Sequence, residues 1–222
     1  MTTAKSATQA KSTKKTKKAK TPKTNVIFII DESGSMMSTA SDVRGGFNGY
    51  VEKLKEDGND YSLTAIKFGT KVRPLFENLT LDKVPLLTAE NYMPLDSTAL
   101  YDAIGHGMAV AKDQWGTKDK PYGEDRVLFI IMTDGYENAS KEFRKEDIAA
   151  KIKRREEASN WTFTYLGADQ DAWAVASNLG FAQGNVMSYA SGQTNQVFSR
   201  LANATTTASS ATSTQTYGFF NN

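Results

Sequence analysis

Two segments limit the fold more than any others: "VIFII" at Val26–Ile30 and "VLFIIM" at Val127–Met132. Each is a continuous apolar run, rich in β-branched residues and without alternation, so a strand formed there is buried on both faces. Such strands belong in the interior of a parallel sheet with helices packed on either side. Both runs stop at a carboxylate. Asp31 follows Ile30 directly, and Asp134 follows Met132 after a single threonine. In sheets of this kind ligands bind outside the carboxyl ends of the strands. "FIIDESGSMMS", residues 28–38, adds Ser33 and Ser35 at alternate positions just beyond the strand.

The rest of the chain fills in around these runs. Val43, Phe47, Tyr50, Val51 and Leu54 have helical spacing, which predicts an amphipathic helix that begins after Ser41-Asp42 and runs to Asp57. "YSLTAIKF" and "VRPLFEN" read as a hairpin across Gly69-Thr70-Lys71, and Pro74 confines the second strand to an edge. Helices are expected over about 99–112, 142–158, 171–178 and 194–202, with strands at "WTFTYLGAD" and "NVMSYA". Alternating strands and helices predict an α/β, Rossmann-like fold: a mostly parallel central sheet, one antiparallel edge strand, and helices on both faces. The expected organisation is a disordered Lys-rich arm over 1–24, one domain over 25–203, and a Ser/Thr-rich tail over 204–222. The "YGFF" of that tail either docks elsewhere or folds back on the domain.

Charge separates the arm from the body. Residues 1–24 hold eight lysines and no acid, leaving 19 basic and 25 acidic residues in 25–222. A polycation of this kind is expected to be unstructured alone and can hold phosphates without base specificity, because no aromatic residue is interleaved with the lysines. The chain has no cysteine, which removes disulfides and thiolate metal sites. No apolar run reaches membrane-spanning length, and the N-terminus lacks the apolar core of a secretory signal. The expected location is therefore cytoplasmic. His106 is the only histidine, so His-based triads have little material, and no phosphate-binding glycine loop is present.

With the two apolar strands side by side, Asp31, Ser33, Ser35 and Asp134 converge on one crevice. Oxygen donors without a nearby Cys or His describe a hard-cation site, with Mg2+ first and Mn2+ or Ca2+ as alternatives. At this point the residues resemble a known family. "DESGS" is similar to the Asp-x-Ser-x-Ser of the von Willebrand factor type A domain, whose metal-ion-dependent adhesion site is completed by a later Thr and a strand-end Asp. "STALYDAI" offers Thr98 and "IIMTDG" offers Asp134, in the family's order, and the resemblance extends from about Asn25 to at least Tyr189.

The resemblance implies a metal site of Asp31, Ser33, Ser35, Thr98 and Asp134, whose open position takes a Glu or Asp from a partner protein. Recognition is then expected, not turnover. One departure is Asp96-Ser97-Thr98 where many members have Gly-x-Thr, and it places an extra carboxylate at the expected rim. Other readings stand beside this one. Asp31 and the serines could cap the first helix, and Glu137 and Asn138 could line the rim. Asp102 is expected to be structural, while Asp169 and Asp171 are expected to cap the next helix. An Mg2+-dependent phosphatase using Asp31 as nucleophile is the enzymatic alternative, and a nucleic-acid-associated protein acting through the arm is another.

Overall fold

A computed structural model of the chain describes residues 22–114, 125–157, 160–211 and 218–221. The arm expected over 1–24 lies outside these residues except for its last three. Of those, Lys23 donates its N–H to Asp125 at 2.8 Å, and Thr24 opens the first strand. In chain order the elements are β1 (Thr24–Asp31), α1 (Ala40–Glu56), β2 (Tyr61–Phe68), β3 (Val72–Leu79), α2 (Leu100–Gln114) and β4 (Arg126–Thr133). They continue with α3 (Lys145–Glu157), β5 (Trp161–Ala168), α4 (Ala172–Asn178), β6 (Val186–Tyr189) and α5 (Thr194–Ser210).

The six strands form one sheet in the order β3-β2-β1-β4-β5-β6. Every pairing is parallel except β2 with β3, as the hairpin and Pro74 predict. Alternate residues of β1 serve opposite layers. Val26, Phe28 and Ile30 pack toward α1 and α5, and Ile27 and Ile29 toward α2, α3 and α4. Both faces are covered, which is why β1 and β4 carry no polar alternation. Helices α1 and α5 approach closely because Gly46 has no side chain: a Cβ there would lie 2.1 Å from the Phe198 ring.

Helix α5 runs on to Ser210, eight residues past the end predicted for it, so the expected boundary at 203 falls inside a helix. Its last turns are Thr, Ser and Ala, which hydropathy reads as tail. Thr205 and Ser209 are nevertheless buried. Thr205 Oγ1 lies 3.2 Å from the Tyr50 hydroxyl, and Ser209 Oγ accepts from Thr24 Oγ1 at 3.0 Å. Beyond the helix, residues 218–221 fold back: the N–H groups of Gly218 and Phe219 donate to Asn185 Oδ1, and Phe219 is buried in the α1/α5 layer. Among the described residues no helix is long and apolar enough to cross a membrane.

Candidate functional site

In this strand order the chain reverses direction across the sheet between β1 and β4, and the carboxyl ends of two such strands are where sheets of this kind form a crevice. Asp31 ends β1 and Asp134 follows β4, so both aspartates stand at that crevice. Asp31 is fully buried. Its Oδ1 accepts from the backbone N–H of Ser33 at 2.7 Å, and its Oδ2 accepts from Thr133 Oγ1 at 2.5 Å. The Tyr92 hydroxyl donates to its backbone carbonyl at 2.6 Å, fixing the strand end.

The two serines do not cap a helix. A 3-10 turn spans Gly34–Thr39 ahead of α1, and neither Ser33 at its start nor Thr39 before α1 makes a side-chain capping bond. The hydroxyls instead form a chain across the crevice. Ser33 Oγ and Ser35 Oγ are 3.1 Å apart, and Ser35 Oγ donates to Asp134 Oδ1 at 2.6 Å. Thr98 enters from a third loop and is buried, with its Oγ1 3.0 Å from where a Cβ on Gly135 would sit and Asp31 Oδ2 3.8 Å from the same point. Any side chain at 135 would crowd the threonine hydroxyl. The structure therefore gathers all five residues named from sequence around one gap.

Electrostatics set this gap apart. Burial raises the Asp31 carboxyl to about 6, with Thr133 and Ser33 hydrogen bonds opposing the shift and the Asp134 charge adding to it. Asp134 is also raised, first by burial, against the Ser35 hydrogen bond, with Asp169 as a further negative charge. Neither aspartate has an ion-pair partner among the described residues. Two facing acids without a basic neighbour fit a cation, and three neutral hydroxyls complete an oxygen donor set suited to Mg2+, Mn2+ or Ca2+. Among the described residues no group of three or more His, Cys, Asp or Glu forms a metal cluster, since only two of these donors are of that type.

Several neighbouring expectations change. The Asp96 carboxylate does not line the gap: it accepts from Arg73 at 3.0 Å and Thr70 at 3.3 Å, while its backbone carbonyl takes the Gly34 N–H at 2.7 Å. Glu137 and Asn138 lock the Thr98 loop. Asn138 Oδ1 accepts the Thr98 N–H and Asn138 N–H returns a bond to the Thr98 carbonyl, while Glu137 accepts from the N–H of Tyr101 and Ser140. Asp102 is structural as expected, gathering the N–H groups of Lys141, Glu142 and Phe143. Asp171 caps α4, but Asp169 instead accepts from the Ser191 N–H. His106 meets Glu142 on the surface at 2.9 Å.

Sequence reading missed Thr133, Tyr92 and Gln170. The first two bond Asp31, and Gln170 Nε2 donates to the Thr133 carbonyl at 3.2 Å. Only Thr133 left a trace, as a hydroxyl residue closing an apolar strand next to Asp134.

A mostly parallel α/β domain with an oxygen-lined crevice at its switch point defines a class, and comparison with known proteins defines the family. The sequence matches the von Willebrand factor type A domain over residues 25–214, and the chain belongs to that family. No curated protein matches it. Among solved structures it is similar to proximal thread matrix protein 1 from the mussel byssus with a zinc-occupied adhesion-site motif, at 15% identity and a TM-score of 0.59, covering 82% of this chain and 47% of that one. It is also similar to the von Willebrand factor domain of a type V pilus tip protein from Porphyromonas gingivalis, at 12% identity, a TM-score of 0.60 and coverage of 87% and 98%. A pilus adhesin from Lactobacillus rhamnosus GG in its open conformation matches at 13% identity and a TM-score of 0.64, covering 85% of this chain and 30% of that one. The chain thus spans about half the length of the mussel structures.

Proposed function

We propose that Asp31, Ser33, Ser35, Thr98 and Asp134 form a complete metal-ion-dependent adhesion site holding Mg2+, with Mn2+ or Ca2+ as alternatives. The chain then acts as a non-enzymatic module that binds a Glu or Asp of a partner protein through that metal. The observation that carries this reading is the hydroxyl chain Ser33–Ser35–Asp134 beside a buried Asp31 that has no basic partner among the described residues. A cation held mainly by neutral hydroxyls keeps much of its positive charge, so it attracts an external carboxylate. The named site of the mussel protein and the pilus proteins among the similar structures support the same reading.

The phosphatase alternative gains nothing from this geometry. The position two residues after Asp31, where such enzymes generally carry a second Asp, is Ser33, and its hydroxyl lies within hydrogen-bond distance of Ser35. Affinity capture with the full chain tests the adhesion reading. Partners should be retained in Mg2+ and lost with EDTA or Asp31→Ala, and metal-independent retention would refute it. For the eight lysines of 1–24 we propose, separately, salt-sensitive contact with nucleic acid. Unchanged DNA retention at low salt after deletion of 1–24 would remove that role.

A further inference from the structure

Large apolar side chains are exposed at only six positions among the described residues: Met37, Leu86, Met93, Leu95, Tyr136 and Trp173, each between 40% and 71% exposed. Five of them stand on the segments that surround the candidate metal site. Met37 lies two residues past Ser35, in the 3-10 turn. Met93 and Leu95 project from a stretch tied to the same loop, since the Met93 N–H donates to Glu32 Oε1 at 3.2 Å and the Leu95 N–H to the Glu32 carbonyl at 3.1 Å. Tyr136 lies two residues past Asp134. Trp173 sits in the first turn of α4, directly after β5, the parallel neighbour of β4. Only Leu86 stands apart, on a stretch held against the middle of α1 by Asn48.

Clustered exposed apolar groups mark interaction surfaces, and Met, Tyr and Trp suit that role: methionine adapts its shape, and the aromatics dominate binding hot spots. Charge at the rim narrows the partner further. Asp169 stands beside Asp134 as an additional negative charge. Of the cations beside the Met93–Leu95 stretch, Lys67 is occupied by Glu32 at 2.8 Å and Arg73 by Asp96 at 3.0 Å, while Arg44 donates to the Tyr92 carbonyl at 3.2 Å. A metal can receive one carboxylate here, while further acids beside it would meet like charge.

We infer that Met37, Met93, Leu95, Tyr136 and Trp173 form an apolar collar that receives a protein segment carrying one acidic residue flanked by bulky apolar side chains. This inference rests on the adhesion-site reading and names the partner's chemistry. The flanks supply contact area, and the metal fixes the register of the acid.

Panning a random displayed-peptide library on the full chain in Mg2+, with EDTA elution, tests it. The expected outcome is enrichment of sequences with a single Asp or Glu between aromatic or aliphatic residues. A peptide made from that consensus should bind Leu95→Ser/Tyr136→Ser about tenfold more weakly, with Mg2+ affinity unchanged. Both residues are exposed, and an unaltered circular dichroism spectrum checks that the variant is folded. Enrichment of acidic sequences without apolar flanks, or equal binding by the variant, overturns the collar and leaves the adhesion site standing. Failure to enrich any EDTA-elutable sequence overturns the adhesion site, and the collar with it.

Discussion

Asp31 and Glu32 are consecutive, both buried, and opposite in electrostatic state. Glu32 is matched from within: Lys67 Nζ lies 2.8 Å from its Oε1, Arg73 lies 3.8 Å from its Oε2, and the Met93 N–H adds a hydrogen bond at 3.2 Å. Among the described residues Asp31 receives the Thr133 and Ser33 hydroxyls and the Ser33 amide but no cation, and it faces the acid Asp134. One step along the backbone turns the side chain from a closed structural pair into an open acidic gap. Burying a charge without a partner is costly. Glu32 is compensated by the fold, whereas Asp31 is a buried acid with no cation beside it among the described residues, which the proposed metal would supply.

The largest expected effect comes from breaking the closed side. Lys67→Met leaves Glu32 buried with only the distant, half-exposed Arg73, and should lower stability by about 3 kcal/mol in urea denaturation. That loss should be the same with and without Mg2+. On the open side, Mg2+ at about a hundredfold excess over its Kd should stabilise the chain by about 2.7 kcal/mol. The gain, read as a rise in Tm, should vanish in Asp31→Ala.

Metal-free Asp31→Asn sharpens the comparison, since it should be more stable than metal-free wild type at pH 8 by up to about 3 kcal/mol. The sign follows from the raised folded value, about 6 against an ordinary 3.8. The favourable contribution of the protonated carboxyl is complete below the ordinary value and lost as pH rises through about 6, so the advantage of the variant should shrink between pH 7 and pH 4. Arg73→Ala removes a half-exposed pair with Asp96 and should cost less than about 1 kcal/mol. Glu156 gives the smallest effect. Burial alone raises it to about 7 from an ordinary 4.5, so Glu156→Gln should raise Tm slightly at pH 8, with the gain lost as pH falls below the ordinary value.

The same contrast explains how much was legible in the sequence. β1 and β4 announce themselves because strands buried on both faces need unbroken apolar runs, and their terminal aspartates follow from position alone. Ser33, Ser35 and Asp134 could be placed together from strand ends, whereas Thr98 needed the family resemblance to single it out. What stayed hidden depends on contacts between distant segments. Asp96 reads as a rim acid until the β2–β3 hairpin brings Arg73 to it, and Asn138 reads as a rim residue until its amide oxygen meets the Thr98 N–H across 40 positions. The end of α5 was invisible for another reason: its buried face is made of Ala204, Thr205 and Ser209, small residues whose hydroxyls find partners inside. Hydropathy does not register a helix that packs by fit and hydrogen bonding.

Isothermal titration of Mg2+ into the metal-stripped full chain separates the two sides, with Asp31→Ala and Lys67→Met as the open-side and closed-side variants. One saturable site is expected in wild type, retained in Lys67→Met under conditions where it is folded and absent in Asp31→Ala. Saturable binding that survives Asp31→Ala, or no saturable binding in wild type, would contradict the proposed metal site.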